Sequence, residues 1–282
     1  ERAFVEDARR LRLKLYQGDD ANDPTLHPRA TRHVPEMLSM IQTLLDKGMA
    51  YLDASGQAYF EVARFPEYGQ LSGKVLEELE SGARVAVREE KRDPRDFALW
   101  KVDAKHLMKW DPHSPQGWPE GDYERFRKLC PEGVDKRLGI GFPGWHIKCS
   151  AMSMAHLGKT IDIHTGGEDN IFPHHECELA QSWGAFETVT AGRKSFARYW
   201  VHGRHLLVDG KKMSKRDGNF FTVRDLLDLK AAGRPEKAAA LEALGFAQGQ
   251  VRPEVLRLAL IANPYTQPMN FTFEALAQAQ AN

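Results

Sequence analysis

The stretch Asp162-Ile163-His164-Thr165-Gly166-Gly167-Glu168-Asp169 is where the fold is decided. Residues 160–164 read as a buried strand, and the strand runs straight into paired glycines and an acid. That succession fits an α/β crevice, in which ligands bind outside the carboxyl ends of the strands. Two glycines let a ligand approach the backbone, and a carboxylate at this point can hold ribose hydroxyls. An ordinary strand-to-loop turn has the same composition, so the flanking segments have to carry the argument.

On either side the pattern turns helical, over residues 147–157 upstream and 174–183 downstream. Cys149 lies in the first of these, His174 and Glu178 in the second. Positions i and i+4 share one helix face, with Cβ atoms about 5–6 Å apart. The His174 imidazole and the Glu178 carboxylate could therefore grip one zinc ion, and a Cys149 thiolate would make a third ligand. Three protein ligands leave a coordination position open, as catalytic zinc sites do. His175, Glu176 and Cys177 compete for the same role, Cys177 most strongly. There is no second histidine at the spacing that a zinc protease needs.

Further downstream stands Lys212-Met213-Ser214-Lys215-Arg216, followed by Asp217-Gly218-Asn219. Two lysines three apart, on a loop bounded by Gly210 and Gly218, can fold over a polyphosphate and neutralise developing negative charge. Beyond the loop, Thr222 is placed to cap a helix running through Leu229, and Pro253 suits the first turn of another. The remainder reads as helical, ending in an Ala/Gln-rich tail.

Working upstream, residues 102–142 are rich in Trp, Pro, Gly and Lys without a steady period and read as a long insertion. Short strands are expected at 50–52, 58–62 and 83–88, with a turn at Ala54-Ser55-Gly56. A helix is expected behind Thr31 as N-cap, with Val34, Met37, Leu38, Ile41, Leu44 and Leu45 at 3.6-residue spacing and Gly48 as its stop. Residues 1–15 read as the end of an amphipathic helix, and 19–29 as a loop.

The 282 residues are 42% hydrophobic and 28% charged, a globular and not a disordered composition. Lysines plus arginines equal aspartates plus glutamates at 39 each, so net charge identifies no partner. The local cluster Lys211, Lys212, Lys215 and Arg216 still leaves RNA open. No apolar run approaches the roughly 20 residues of a membrane span, and a charged start argues against a signal peptide. Three cysteines make no disulfide framework, which points to a reducing, cytoplasmic setting.

Taken in order and spacing, the segments Gly144-Trp145-His146-Ile147-Lys148-Cys149-Ser150-Ala151-Met152-Ser153, His164 to Asp169, Phe172-Pro173-His174-His175-Glu176-Cys177-Glu178 and the lysine loop resemble the cysteinyl-tRNA synthetases. Upstream, Phe65 to Ser72 and Lys91 to Lys101 are similar to the same family. The resemblance implies an α/β fold: the second half of a class I synthetase Rossmann-type catalytic domain with a connective insertion, followed by a helical stem-contact region. The implied segments are a connective-peptide region and return at 1–101, an insertion at 102–143, the catalytic half at 144–221 and the stem-contact region at 222–282. The implied reaction is ATP-dependent activation of cysteine to cysteinyl-adenylate, then transfer to tRNA(Cys). It would use one Zn2+ per chain and ATP with Mg2+, in a cytoplasmic monomer. Cys149, His174 and Glu178 match the family's zinc ligands, the zinc taking the substrate thiolate. Trp145 and His164 match the amino-acid pocket. Gly166, Gly167 and Asp169 match the adenylate turn, and the loop Lys212-Met213-Ser214-Lys215 the ATP site, with Lys212 and Lys215 stabilising the phosphate transition state.

The departures are also informative. The family's early zinc-ligating cysteine and its His-Ile-Gly-His-like motif have no counterpart here, and His156-Leu157-Gly158-Lys159 lies too late to be the latter. An anticodon-binding domain is not represented either. The expectation is a partial chain, inactive alone. Arg216 stands where the family usually has Ser, and Lys148 where it usually has Glu. Two other readings are a mycothiol-type cysteine ligase and a catalytically inactive, synthetase-derived RNA-binding fragment.

Overall fold

The computed structural model describes residues 2–18, 23–74, 91–214, 216, 218–228 and 233–282. In chain order the helices are α1 (Arg2–Arg10), α2 (Val34–Asp46), α3 (Asp122–Leu129), α4 (Trp145–Leu157), α5 (Glu176–Phe186), α6 (Val223–Leu227), α7 (Pro235–Ala243), α8 (Pro253–Ile261) and α9 (Phe273–Ala281). The strands are β1 (Ala50–Leu52), β2 (Ala58–Phe60), β3 (Phe97–Val102), β4 (Gly141–Pro143), β5 (Ile161–Gly167), β6 (Val189–Thr190), β7 (Arg193–Lys194), β8 (Ala197–Gly203), β9 (Leu206–Val208), β10 (Lys211–Lys212) and β11 (Met269–Phe271). They gather into two units, one of residues 28–201 and one of residues 1–27 with 202–282.

In the unit of residues 28–201, α2 buries Val34, Met37, Leu38, Met40, Ile41 and Leu44 against α3, α4 and α5. The helical spacing of those residues is what makes one continuous apolar face. Gly48 (φ +67°) stops the helix, with Gly48 N–H on Leu45 O at 3.0 Å and Met49 N–H on Leu44 O at 2.9 Å. The start differs from expectation. Thr31 lies inside a 3-10 turn, Ala30–Arg32, and the N-cap is His33, without a side-chain cap bond. Pro35 stands in the first turn, where its missing N–H costs nothing and its fixed φ favours helix.

Strands β1 to β4 form an antiparallel sheet in sequence order. The β1–β2 turn is tied by Asp53 Oδ1, which accepts from Ser55 N–H (2.8 Å) and Gln57 N–H (3.0 Å). Residues 102–142 contain α3, whose Phe126 is fully buried beside Trp118, ring centroids 5.5 Å apart. The strand expected at 83–88 lies outside the described residues.

Strand β5 forms as expected but is not buried. Only Ile161 enters a core, with Phe196 and Ala197, while Ile163 is 59% exposed. The reason is its setting: among the described residues β5 pairs in a two-stranded sheet with β8, and a ribbon covers little of either face.

In the other unit, β9 pairs antiparallel with β10 and parallel with β11. The two-residue β9–β10 turn, Asp209-Gly210, has φ of +50° and +73°, the primed geometry that suits Asp-Gly. Thr222 caps α6 through a full capping box with Asp225, though the helix ends at Leu227, short of Leu229. Pro253 opens α8. The C-terminal stretch is not all helical, because β11 precedes α9. Leu11, Val208, Phe221, Leu226, Leu241, Leu256, Phe271 and Leu276 are among the residues of this unit's core. No described helix is long and apolar enough to cross a membrane.

Candidate metal centre

Three elements of the 28–201 unit converge on Glu178. Helix α4 brings Cys149, the turn before α5 brings His174, and α5 brings Glu178 itself. One donor atom from each lies within 4.8 Å of the other two. His164 in β5 and His175 form a second such group with the same carboxylate. Glu178 is completely buried. Its Oε2 accepts from His164 Nε2 at 2.5 Å. Its Oε1 is 2.8 Å from His174 Nε2.

The electrostatics agree with this. Burial alone would raise the Glu178 carboxyl, yet the His164 and His174 imidazoles beside it hold it down at about 2. Burial, and then the Glu178 carboxylate, push the Cys149 thiol up to about 12. A cation between them would reverse that penalty and hold the thiolate. Thiolate, imidazole and carboxylate together make a donor set that suits zinc, and the residues present fit such an ion.

Two of the three rival ligands are occupied elsewhere, while His175 stays beside Glu178 with His164. Cys177 is buried in the core, 3.2 Å from the Tyr68 hydroxyl, and burial raises its thiol strongly. Glu176, also completely buried, accepts from Ser72 N–H at 2.9 Å and Leu71 N–H at 3.4 Å. The i, i+4 pair His174 and Glu178 does converge with Cys149.

Around the donors, Trp145 is 57% exposed and stacks on His174, ring centroids 4.5 Å apart and planes 16° apart. Gly166 and Gly167 end β5. A Cβ on Gly166 would lie 2.6 Å from the His175 ring, and one on Gly167 2.5 Å from Asp169 Oδ1. Asp169 is exposed in the 3-10 turn Glu168–Asn170.

The lysine loop belongs to the other unit. Lys212 is exposed in β10, and Met213 packs on that unit's core. Asn219 braces the loop, its Oδ1 accepting from Ser214 N–H (2.8 Å) and its Nδ2 donating to Lys212 O (3.2 Å). Lys215 lies outside the described residues.

Sequence reasoning missed His146 and Gln181. His146 Nδ1 is 2.9 Å from His174 Nδ1. Gln181 Nε2 donates to His146 O (2.8 Å) and Ser150 Oγ (2.7 Å). His146 stood inside a quoted segment, but its partner is 28 residues away, so no local spacing could pair them.

An α/β chain with a donor cluster behind a glycine-ended strand and a braced lysine loop has the parts of a class I synthetase. The sequence model of the class I (C) tRNA synthetase catalytic domain matches residues 4–124 and 128–234, and the chain belongs to this family. Among curated proteins, the cysteine–tRNA ligase of Thermus thermophilus is 43% identical over 258 residues, 91% of this chain and 43% of that protein. That of Salinibacter ruber is 43% identical over 279 residues, 98% of this chain and 46% of the relative. That of Koribacter versatilis is 42% identical over 279 residues, 99% and 45%. The chain spans a little under half the length of these relatives.

Proposed function

We propose that this chain is the part of a cysteine–tRNA ligase that selects cysteine and holds the lysine loop for ATP. The carrying observation is the convergence of Cys149, His174 and Glu178 within 4.8 Å, in a chain similar over nearly its whole length to proteins named for that reaction. Cys149, His174 and Glu178 would hold one Zn2+ ion. When bound, zinc supplies a soft Lewis acid that favours a thiolate over the hydroxyl of serine or the methyl of alanine, so selection needs no separate editing.

Other groups of the chain would act around it. Trp145 and His164 flank the amino acid, and Gly166, Gly167 and Asp169 form the turn for the adenosine. In the activation step the cysteine carboxylate attacks the α-phosphorus of ATP, whose Mg2+ travels with it, and pyrophosphate leaves. Lys212 and Lys215, with the backbone of Met213 and Ser214, neutralise charge on the phosphates as it develops. The acyl group then passes to a hydroxyl of the terminal adenosine of tRNA(Cys), releasing AMP. The working setting is the cytoplasm and the working form a monomer. The order of the donors along the chain, with Glu178 in place, supports the ligase over a mycothiol-type enzyme or an inactive RNA-binding fragment.

The test is elemental zinc analysis of the 282-residue chain with calorimetric titration of cysteine and serine. Wild type is expected to carry about one zinc and to bind cysteine over serine, and Cys149→Ser to lose both. Stoichiometric metal retained in Cys149→Ser would remove Cys149 from the site.

A further inference from the structure

Where the chain leaves the lysine loop, Phe221 is buried and two cations lie over its ring, Arg234 Cζ 4.7 Å and Lys237 Nζ 4.4 Å from the centroid. Cations this close to an aromatic face are attracted by the ring's quadrupole. Arg234 also donates from Nη2 to Phe220 O at 2.8 Å. Two consecutive residues are thus fixed, one by its carbonyl and the next by its ring. Just upstream stands Asn219, whose side chain accepts from Ser214 N–H and donates to Lys212 O across the loop. A path of direct contacts therefore runs from Arg234 and Lys237 to the backbone of Lys212 and Ser214.

Both cations belong to the start of α7: Arg234 is its N-cap and Lys237 lies in its first turn. The helix macrodipole is positive at that end and opposes them, so α7 gains no stability from their charge. What α7 supplies is a rigid mount. Its Ala238 and Leu241 are completely buried in the unit's core. Past the helix the chain closes on it at Gly249 (φ +65°), where a Cβ would lie 2.6 Å from Ala238 O. Gln280 of α9 donates to Gly245 O at 3.2 Å and ties that return to the last helix. At the other end of the loop, Lys212 is already held by the pairing of β10 with β9, so it is Ser214 that reports on the downstream clamp.

We propose that Arg234 and Lys237 are positioning residues of the lysine loop: they clamp Phe220 and Phe221 and so, through Asn219, hold Ser214 and Lys212 in the arrangement that receives the phosphates of a nucleoside triphosphate. The phosphate half of the inference rests on the ATP reading above. The clamp half does not.

Three variants of the 282-residue chain test it. Lys237→Met keeps the aliphatic stem and removes the charge, Lys237→Arg restores a cation to the ring, and Arg234→Met removes both a charge and the donor to Phe220. Amide hydrogen exchange at Ser214 is expected to quicken about 3–10-fold in the two methionine variants and to stay near wild type in Lys237→Arg. The helical amides of Leu256 and Leu276, in the same core, are expected to keep their wild-type protection. Mg2+–ATP, titrated while the NMR signals of Lys212 and Ser214 are followed, is expected to bind about 3–10-fold more weakly to the two methionine variants. Unchanged Ser214 exchange in both of them would overturn the proposal. So would an equal quickening at Leu256 and Leu276, which would make the cations props of the whole unit, or exchange in Lys237→Arg as fast as in Lys237→Met. Quicker Ser214 exchange with the same ATP affinity in every chain would overturn the phosphate half. A wild-type chain that binds no ATP, with Ser214 exchange responding as expected, would count against the ATP reading and leave the clamp standing.

Discussion

Glycine 166 shows how closely single residues set this site. The ideal Cβ position there lies 2.6 Å from His175 Cε1 and 2.8 Å from its Nε2, well inside contact distance, so the imidazole occupies the space a side chain would need. His175 in turn lies tilted against His164, ring centroids 4.5 Å apart, and His164 donates to Glu178. One added methyl therefore pushes on a ring that is two contacts from the buried carboxylate. Overpacking of this kind costs about 1–3 kcal/mol. Gly166→Ala is expected to lower the unfolding free energy by that amount in urea titration, and to shift the His164 ring signals in NMR. A variant with wild-type stability and an unmoved His164 would mean that His175 has room to turn aside.

Among the elements, the β1–β2 hairpin and the segment before β3 are joined through one buried carboxylate. Asp96 accepts from Tyr51 Oη and Val62 N–H, each at 2.9 Å, and the same Tyr51 hydroxyl accepts from Arg92 N–H at 2.9 Å. Burial holds the Asp96 carboxyl above its ordinary value despite those donors. The folded chain thus takes up this proton at a higher pH than the unfolded chain, so for this group acidification through the raised pKa stabilises the fold and a rise in pH withdraws that stability. Tyr51→Phe removes a donor from the charged form and strands Arg92 N–H, at about 1–3 kcal/mol. The loss is expected to be larger at pH 7 than in acid below the raised pKa, where a protonated Asp96 supplies its own hydrogen. An equal loss at both would show that Asp96 does not change protonation between them. Elements of this kind were legible in the sequence only where a period or a cap declares them. The apolar stripe of α2, the Thr222 cap and the stop at Gly48 could all be read. Helix α3 could not, because eight residues with Phe126 as the one fully buried apolar side chain make no period. The exposure of Ile163 depends on how many strands flank β5, which no local pattern encodes. In the site the same division holds: the i, i+4 spacing puts His174 and Glu178 on one face, whereas the contacts of His146 and Gln181 exist only after α4 and α5 have packed.

At the scale of the whole molecule, the candidate site residues fall into different units. Cys149, His174, Glu178, His164, His146 and Gln181 all fall within residues 28–201, and the lysine loop falls outside. That unit has a core of its own, running from Val34 and Met37 in α2 through Phe60, Leu99 and Trp100 in the sheet to Ile147 and Ala180 in α4 and α5. A segment of about 170 residues is large enough to bury roughly 70% of its unfolded surface, and its flanking joints fall near His27 and Val201. Both donor helices pack on α2, so the scaffold that aims Cys149 and Glu178 is complete inside the unit. Residues 28–201 expressed alone are therefore expected to unfold cooperatively and to bind zinc within a few-fold of the affinity of residues 1–282, measured by chelator competition on both. Cooperative folding with zinc affinity lost would mean that the donors need residues from 1–27 or 202–282 to reach their positions. Failure to fold would mean that the core in α2 and the sheet is stabilised from outside the unit, and the metal centre would then have to be treated as a property of the full chain.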